Sequence, residues 1–234
     1  MGKAGREKRR FRDGDVRFEA HLDDYAFLIS GLLDLYQASF DHRWLNLAEE
    51  LMGKTITVFW DSAEGGFYDT SGKDTSILVR MKEAYDGAEP TGNSVAAMDL
   101  LRLYHYTNDT TLKGYAEKTV KYFCTLLEQS PQIMPQLMAS AEYLLANPEH
   151  IVIHAESISD AASYLDIVVG KYLPHANIIV IDNNNKPYYD ATFSFTKGMG
   201  RIDGKTTAYV CKNYACQLPV NDYSLFREQV SSHH

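Results

Sequence analysis

Apolar residues in this chain repeat in two alternating helical patterns, and that alternation constrains the fold more than any other feature. From Leu22, the apolar positions Tyr25, Ala26, Ile29, Leu32, Leu33 and Tyr36 recur at helical spacing. Phe27, Leu28 and Leu35 widen the stripe until the helix is apolar nearly all round, a pattern that predicts burial on several sides. The next helix runs through Trp44, Ala48, Leu51, Thr55 and Phe59, with Arg43, Asn46, Glu49, Glu50 and Lys54 on its other face, so it faces water. The order then repeats. Thr91 to Ser94 offers N-caps for a broadly apolar helix with Val95, Ala96, Met98, Leu100, Leu101, Leu103 and Tyr104. Asn108 to Thr111 caps an amphipathic helix on Leu112, Tyr115, Ala116, Thr119, Phe123, Leu126 and Leu127, and a fifth helix is expected near Pro135. Buried and surface helices alternating around a long connection through residues 60–90 predict a mainly α fold. A ring of αα-hairpins produces this pattern, because inner helices meet neighbours on every side while outer ones lean only on inner ones. A plain helical bundle satisfies the same periodicity.

After Asn147-Pro148 the pattern changes. Ile151 to His154 and Ile178 to Asp182 read as short apolar strands separated by a helix over residues 157–172, a βαβ unit with parallel strands. Thr207 to Cys211 reads as a further strand, and Pro219 as the close of this small α/β segment. The domain reading is therefore a basic arm or linker over 1–20, helical hairpins over 21–147, the α/β segment over 148–230, and a purification-tag remnant over 231–234. Residues 1–12 carry six basic groups and one acid, a charge of +5, whereas the whole chain carries −8 and so leaves −13 on the rest. An acidic body repels phosphates, which argues against nucleic acid and favours a solvated arm. No apolar run approaches the ~20 residues that span a bilayer. The opening MGKAGREKRR lacks the apolar stretch of a secretory signal, and Asn108-Asp109-Thr110 therefore reads as a helix cap rather than a glycosylation site. With only three cysteines, the expectation is a cytoplasmic protein with neither membrane nor nucleic acid as partner.

Dinucleotide, P-loop, zincin and paired CxxC motifs are absent, and histidines fall at no zinc-finger spacing, so no metal or cofactor is called for. What remains is a polar and aromatic set where loops meet helices. Asp24 and Tyr25 open the first broadly apolar helix. The long connection supplies Phe67, Tyr68, Arg80, Lys82, Asp86 and Glu89, and Asn93 opens the next such helix. Taken singly, each has a structural reading: acids favour helix N-termini, Gly65-Gly66 makes a turn, and Arg80 and Lys82 share a strand face and pair with acids. Taken together, carboxylates beside rings and cations suit a carbohydrate site. In it Asp24, Asp86 and Glu89 are the candidate acids, and Tyr25, Phe67, Tyr68, Arg80, Lys82 and Asn93 the candidate contacts. Cys211 and Cys216 are too far apart along an extended strand for a disulfide. The plainer reading is two separate thiols, and bonding requires the chain to fold back near Asn213.

The stretches Leu22 to Leu28, Glu64 to Tyr68, Arg80-Met81-Lys82 with Asp86 to Pro90, Asn93 to Ala97 and Thr207 to Pro219 resemble the spermatogenesis-associated protein 20 family, in order, from about Arg12 to Val220. Its members are described as thioredoxin-domain-containing proteins. The resemblance implies an N-terminal thioredoxin-like domain and then an (α/α)6 toroid similar to six-hairpin glycosidases and N-acylglucosamine 2-epimerases. This chain would then hold the last hairpins of the toroid and the C-terminal segment, with the rest of the toroid and the thioredoxin-like domain as its partners. Two functions stay open. One is a carbohydrate-binding or carbohydrate-active toroid, of hydrolase or epimerase type, with a sugar ligand. The other is a non-catalytic or redox-linked scaffold, in which Cys211 and Cys216 would exchange with the thioredoxin-like domain.

Overall fold

The computed structural model describes residues 8–12, 15–73, 77–146, 148–212 and 215–231. They divide into two compact units. The first takes in residues up to Tyr36, Arg43–Tyr104 and Asp109–Leu145; the second takes in Gln37–His42, His105–Asn108 and Ala146 onward. The architecture is mainly α with a small α/β segment, and no described helix is long and apolar enough to cross a membrane.

The first unit opens with an antiparallel hairpin, β1 (Lys8–Arg12) and β2 (Asp15–Glu19), in which Lys8 pairs with Glu19 and Arg12 with Asp15. Part of the expected arm is thus paired strand, and residues 1–7 lie outside the described residues. Helices α1 (Leu22–Ser39) and α2 (His42–Phe59) follow, then α3 (Gly92–Thr107), α4 (Thr110–Tyr122), α5 (Cys124–Gln129) and α6 (Pro135–Leu145). On α1 the residues predicted to face inward do so: Tyr25, Ala26, Ile29, Leu33 and Tyr36 are all buried, and the Tyr25 ring meets Phe59 of α2 edge-on at 5.4 Å. The wider stripe does not follow them. Phe27, Leu28 and Leu35 are 40%, 45% and 48% exposed, so one side of α1 is only partly covered among the described residues. By contrast α3 is buried on nearly every side, including the carboxyl-bearing Asp99. The single amphipathic helix expected over 112–127 breaks at Phe123, which turns the chain into α5 so that Phe123 and Leu127 pack with Met134 and Leu137. Asp109 caps α4 by accepting the Thr111 N–H at 2.8 Å, as its position suggested.

In the second unit β3 (Glu149–His154) and β4 (Asn177–Ile181) are parallel, with Ile151 opposite Ile178, as the βαβ reading requires. The crossover is shorter than expected: a 3-10 turn, Ile158–Ala161, and α7 (Ala162–Val169). Ser157 and Asp160 close a capping box there, each side chain accepting the other's backbone N–H. The sheet order is β4-β3-β5-β6, where β5 (Thr207–Lys212) runs antiparallel to β3 and β6 is Ala215–Cys216. Two helices escaped the sequence reading: α8 (Lys186–Thr192), and α9 (Tyr223–Ser231), which extends past Pro219 into the presumed tag. Residues 232–234 lie outside the described residues. Phe226 and Val230 of α9 join Ile151, Ile153, Val180, Val210 and α7 in the core of this unit, together with Phe40. Phe40 adopts φ 53°, a left-handed conformation unfavourable for a bulky side chain, and it is held there by burial.

Gly92 shows how closely the first unit is packed at its helix starts. A Cβ there would lie 2.7 Å from Leu22 Cγ and 3.0 Å from the Asp23 backbone nitrogen, so α1 and α3 touch backbone to backbone. Gly92→Ala is expected to destabilise the unit by about 1–3 kcal/mol through overpacking. Gly53→Ala, inside α2 with open space around it, is expected to stabilise it by up to about 1 kcal/mol. Thermal and denaturant unfolding followed by fluorescence reads both, because Trp44 and Trp60 both lie in the first unit.

Candidate functional site

The long connection between α2 and α3 has no helix or regular strand of its own among the described residues, so its geometry comes from side chains. It starts at Trp60, bridged to Phe67 across a tight turn whose Gly65 and Gly66 have φ of 84° and 74°. Asp61 organises this turn. Its Oδ1 accepts the N–H groups of Ala63 at 2.9 Å and Glu64 at 3.4 Å, while its Oδ2 accepts the Tyr68 hydroxyl at 2.9 Å and the Lys82 ammonium at 2.8 Å. The Lys82 hydrogen bond, followed by that from Ala63, holds the Asp61 carboxyl well below the usual carboxylate range. Donating to Asp61, in turn, raises the Tyr68 phenol. Lys82 also donates to the Gly65 carbonyl at 2.6 Å and lies 3.7 Å from the centroid of the Tyr122 ring. Arg80 stacks over the face of Tyr68 at 4.1 Å and donates to the backbone carbonyls of Thr70 and Val58.

Arg80, Lys82 and Tyr68 are therefore brought together, around an Asp61 that the sequence reading did not single out. They stand on irregular extended chain and not on the strand face expected for Arg80 and Lys82. The other candidates are placed differently. Asn93 is fully buried, and its amide both accepts the Phe67 N–H and donates to the Phe67 carbonyl, each at 2.8 Å, so it clips the loop to the start of α3. Asp86 is buried and accepts the N–H of Thr91 at 2.8 Å and of Gln136 at 2.9 Å, fastening the connection to the starts of α3 and α6. Tyr25 and Phe67 are core residues. Asp24 accepts the His21 N–H at 2.8 Å, the helix-start role weighed for it, and Glu89 is exposed on the connection.

Asp69 is the residue that sequence reasoning undervalued. Its carbonyl accepts the Leu22 N–H at 3.0 Å and its own N–H donates to the Met81 carbonyl at 2.8 Å, joining the start of α1 to the connection. Burial pushes its carboxyl up to about 6; the Glu83 N–H opposes this, and the charges of Glu83 and Asp23 add to it. Only its place directly after Tyr68 hinted at this. A second polar feature lies wholly within the α/β unit, a cleft of about 570 Å³ lined by Glu156, Ser157, Asp160, Arg201, Gly204 and Thr206. Arg201 is paired there with Glu156 at 2.8 Å, and none of the sequence candidates lines the cleft. Among the described residues no three His, Cys, Asp or Glu side chains are grouped as metal ligands. Finally, Cys211 and Cys216 are joined in a disulfide, which overturns the plainer reading of two separate thiols. The chain does fold back between them, so the two residues face each other across paired strands; Asn213 lies outside the described residues.

A helical unit tied at its helix starts by buried polar side chains, followed by a small α/β unit, defines the class of protein. Comparison with known proteins gives its relatives. Over 206 residues the chain is 32% identical to spermatogenesis-associated protein 20 of Homo sapiens, covering 86% of this chain and 26% of that protein. The Rattus norvegicus protein of the same name matches at 32% over the same share. An uncharacterized protein of Caenorhabditis elegans is 29% identical over 212 residues, 88% of this chain and 28% of that protein. No family model matches. The chain is similar to spermatogenesis-associated protein 20 over most of its own length and spans about a quarter of the length of these relatives.

Two predictions follow from this geometry. Asn93→Ala leaves the N–H and carbonyl of the fully buried Phe67 without partners and is expected to destabilise the first unit by roughly 2–4 kcal/mol, read by denaturant unfolding. The two units are also expected to respond to acid with opposite signs. In the first, burial raises Asp69 to about 6 and raises Asp99 as well. Their contribution to stability is present in full below the ordinary value of 3.8 and is lost as pH rises through the raised values. In the second, burial lowers His150 and His154 to about 4, so stability is present above 6.5 and is lost as pH falls towards 4. Hydrogen exchange at pH 7 and pH 5, corrected for intrinsic rates, should show the first unit more protected at pH 5 and the second less, and Asp69→Asn should reduce the response of the first.

Proposed function

We propose that this chain is a non-catalytic structural segment of a longer toroid of helical hairpins, and that its polar junction is an internal clamp. The single observation that carries this reading is that Lys82, Asn93 and Asp86, and the Asp61 that joins Lys82 to Tyr68, spend their polar groups within the fold. Asp61, Lys82, Asn93 and Asp86 each make two or more bonds inside the unit, and the face of Tyr68 is covered by Arg80. The partner is the remainder of the longer protein, with the missing hairpins covering the exposed Phe27, Leu28 and Leu35 on α1. Relatives about four times as long as the matched stretch supply enough chain for that. A thioredoxin-like domain would be carried on the same scaffold.

A second reading, a carbohydrate site, is favoured by one observation. Asp69, raised to about 6 beside Asp23 and Glu83, has the proton affinity of a general acid working near neutral pH. Two measurements on the longer protein separate the readings. Leu28→Asp with Leu35→Asp is expected to change the stability of this chain by no more than about 0.5 kcal/mol per site. In the longer protein the same pair is expected to raise protease sensitivity several-fold, because it uncouples the hairpins. A panel of mono- and oligosaccharides is expected to leave the melting temperature of the longer protein unchanged. A saccharide-dependent rise in that temperature, abolished by Asp69→Asn, overturns the clamp reading in favour of the sugar site.

A further inference from the structure

The sheet of the second unit ends on a bond whose chemistry the scaffold role leaves unused. Cys211 near the end of β5 lies directly opposite Cys216 of β6, the outermost strand, and the two sulfurs are bonded. Beyond Cys216 the chain keeps to β5 by hydrogen bonds. The Gln217 N–H donates to the Val210 carbonyl at 2.9 Å, and Val220 and Ala208 exchange bonds in both directions at 3.0 and 2.8 Å. It then enters α9, which is anchored in the core by Phe226 and Val230. The two half-cystines differ in access. Cys211 is 3% exposed, whereas Cys216 sits on a two-residue strand that is exposed throughout.

Two physical arguments bear on what such a bond is for. A cross-link stabilises chiefly by closing a loop in the unfolded chain, and the gain shrinks with the loop; here the sequence separation is only 5. The backbone bonds from Gln217 to Val220, together with the anchored α9, hold the edge in place without it. A bond that closes so short a loop beside an edge already held by backbone bonds, and that shows one half-cystine to solvent, is suited to exchange.

We propose that Cys211–Cys216 is an exchangeable redox site open to dithiols from the Cys216 side. An incoming thiolate attacks the Cys216 sulfur and forms a mixed disulfide there. The Cys211–Cys216 bond breaks, and Cys211 leaves as a thiolate that takes up the proton released by the incoming thiol. The second thiol of the reductant then attacks its own sulfur in the mixed disulfide, its proton passing to the departing Cys216. Two electrons and two protons have moved from the dithiol, now a disulfide, to the protein pair, and the reverse sequence reoxidises it. Reduction unpins Ala215–Cys216 from β5 while the remaining edge bonds persist. This inference is independent of the clamp reading, since it uses only residues of the α/β unit.

The test uses the full chain equilibrated in buffers of reduced and oxidised dithiothreitol, quenched with iodoacetamide and mapped by mass spectrometry. Cys211 and Cys216 are expected to become alkylated together in a reversible two-electron transition, with the labelling of Cys124 unchanged across it. Under native conditions reduction should run at least ~100-fold faster than global opening of β3 measured by hydrogen exchange. With limiting reduced glutathione, the mixed disulfide of the wild-type protein should sit on Cys216, and with oxidised glutathione, which releases one glutathione thiol, that of Cys211→Ser should sit there too. Reduction that occurs only at the rate of global opening makes the bond a permanent staple and overturns the proposal. So does glutathione trapped on Cys211 alone, or the recovery of both residues as free thiols from the fully oxidised buffer.

Discussion

A connection as long as residues 61–91, with no helix or sheet of its own among the described residues, must satisfy its backbone by other means, and the first unit depends on how it does so. Buried N–H and carbonyl groups left without partners would each cost as much as a lost hydrogen bond. The sequence meets that demand with side chains that reach backbone. Asp61 takes the N–H groups of its own turn, Asn93 takes both polar groups of Phe67, Asp86 takes those at two helix starts, and Arg80 and Lys82 donate to carbonyls. A cluster of acids, amides and cations with rings between them therefore has a structural cause before any catalytic one. The ring of Tyr122 and the face of Tyr68 take up the apolar stems and the charge of Lys82 and Arg80, which lets two cations lie side by side within the fold.

The same economy governs the charges. Where a carboxyl is surrounded by donors, as Asp61 is, it stays ionised; where burial dominates, as for Asp69 and Asp99, the proton is held to higher pH. The α/β unit buries bases instead. His150 and His154 lie on β3 among side chains that desolvate them, and they stay neutral at neutral pH. The two units thus store opposite proton balances in one chain. Exposed apolar residues on α1 add a third feature, a second apolar face beside the buried one.

Much of the fold was legible because periodicity is a direct consequence of burial. The inward positions of α1 and α2, the cap at Asp109 and the parallel pairing of Ile151 with Ile178 all follow from spacing. Other features were not legible. The break at Phe123 and helices α8 and α9 are fixed by packing partners distant in sequence, and the hairpin at Lys8–Glu19 was concealed by a run of like charges. The candidate site was half legible. Residue types and junction positions singled out Tyr68, Arg80 and Lys82, which do meet. Nothing local distinguished Asp61 as their common partner, or Asp69 as the carboxyl that burial raises.

By itself, the sequence determined the main inward face of each long helix, where capping residues start helices, and that a βαβ unit follows the helices. These depend on neighbours within a few residues, which a chain specifies locally. Tertiary structure alone decided that Asp86 and Asn93 serve the backbone, that Phe40 is held at positive φ, and that Cys216 returns to face Cys211. Each of these turns on which group fills the space opposite, and that group is supplied by a segment whose approach no local spacing encodes.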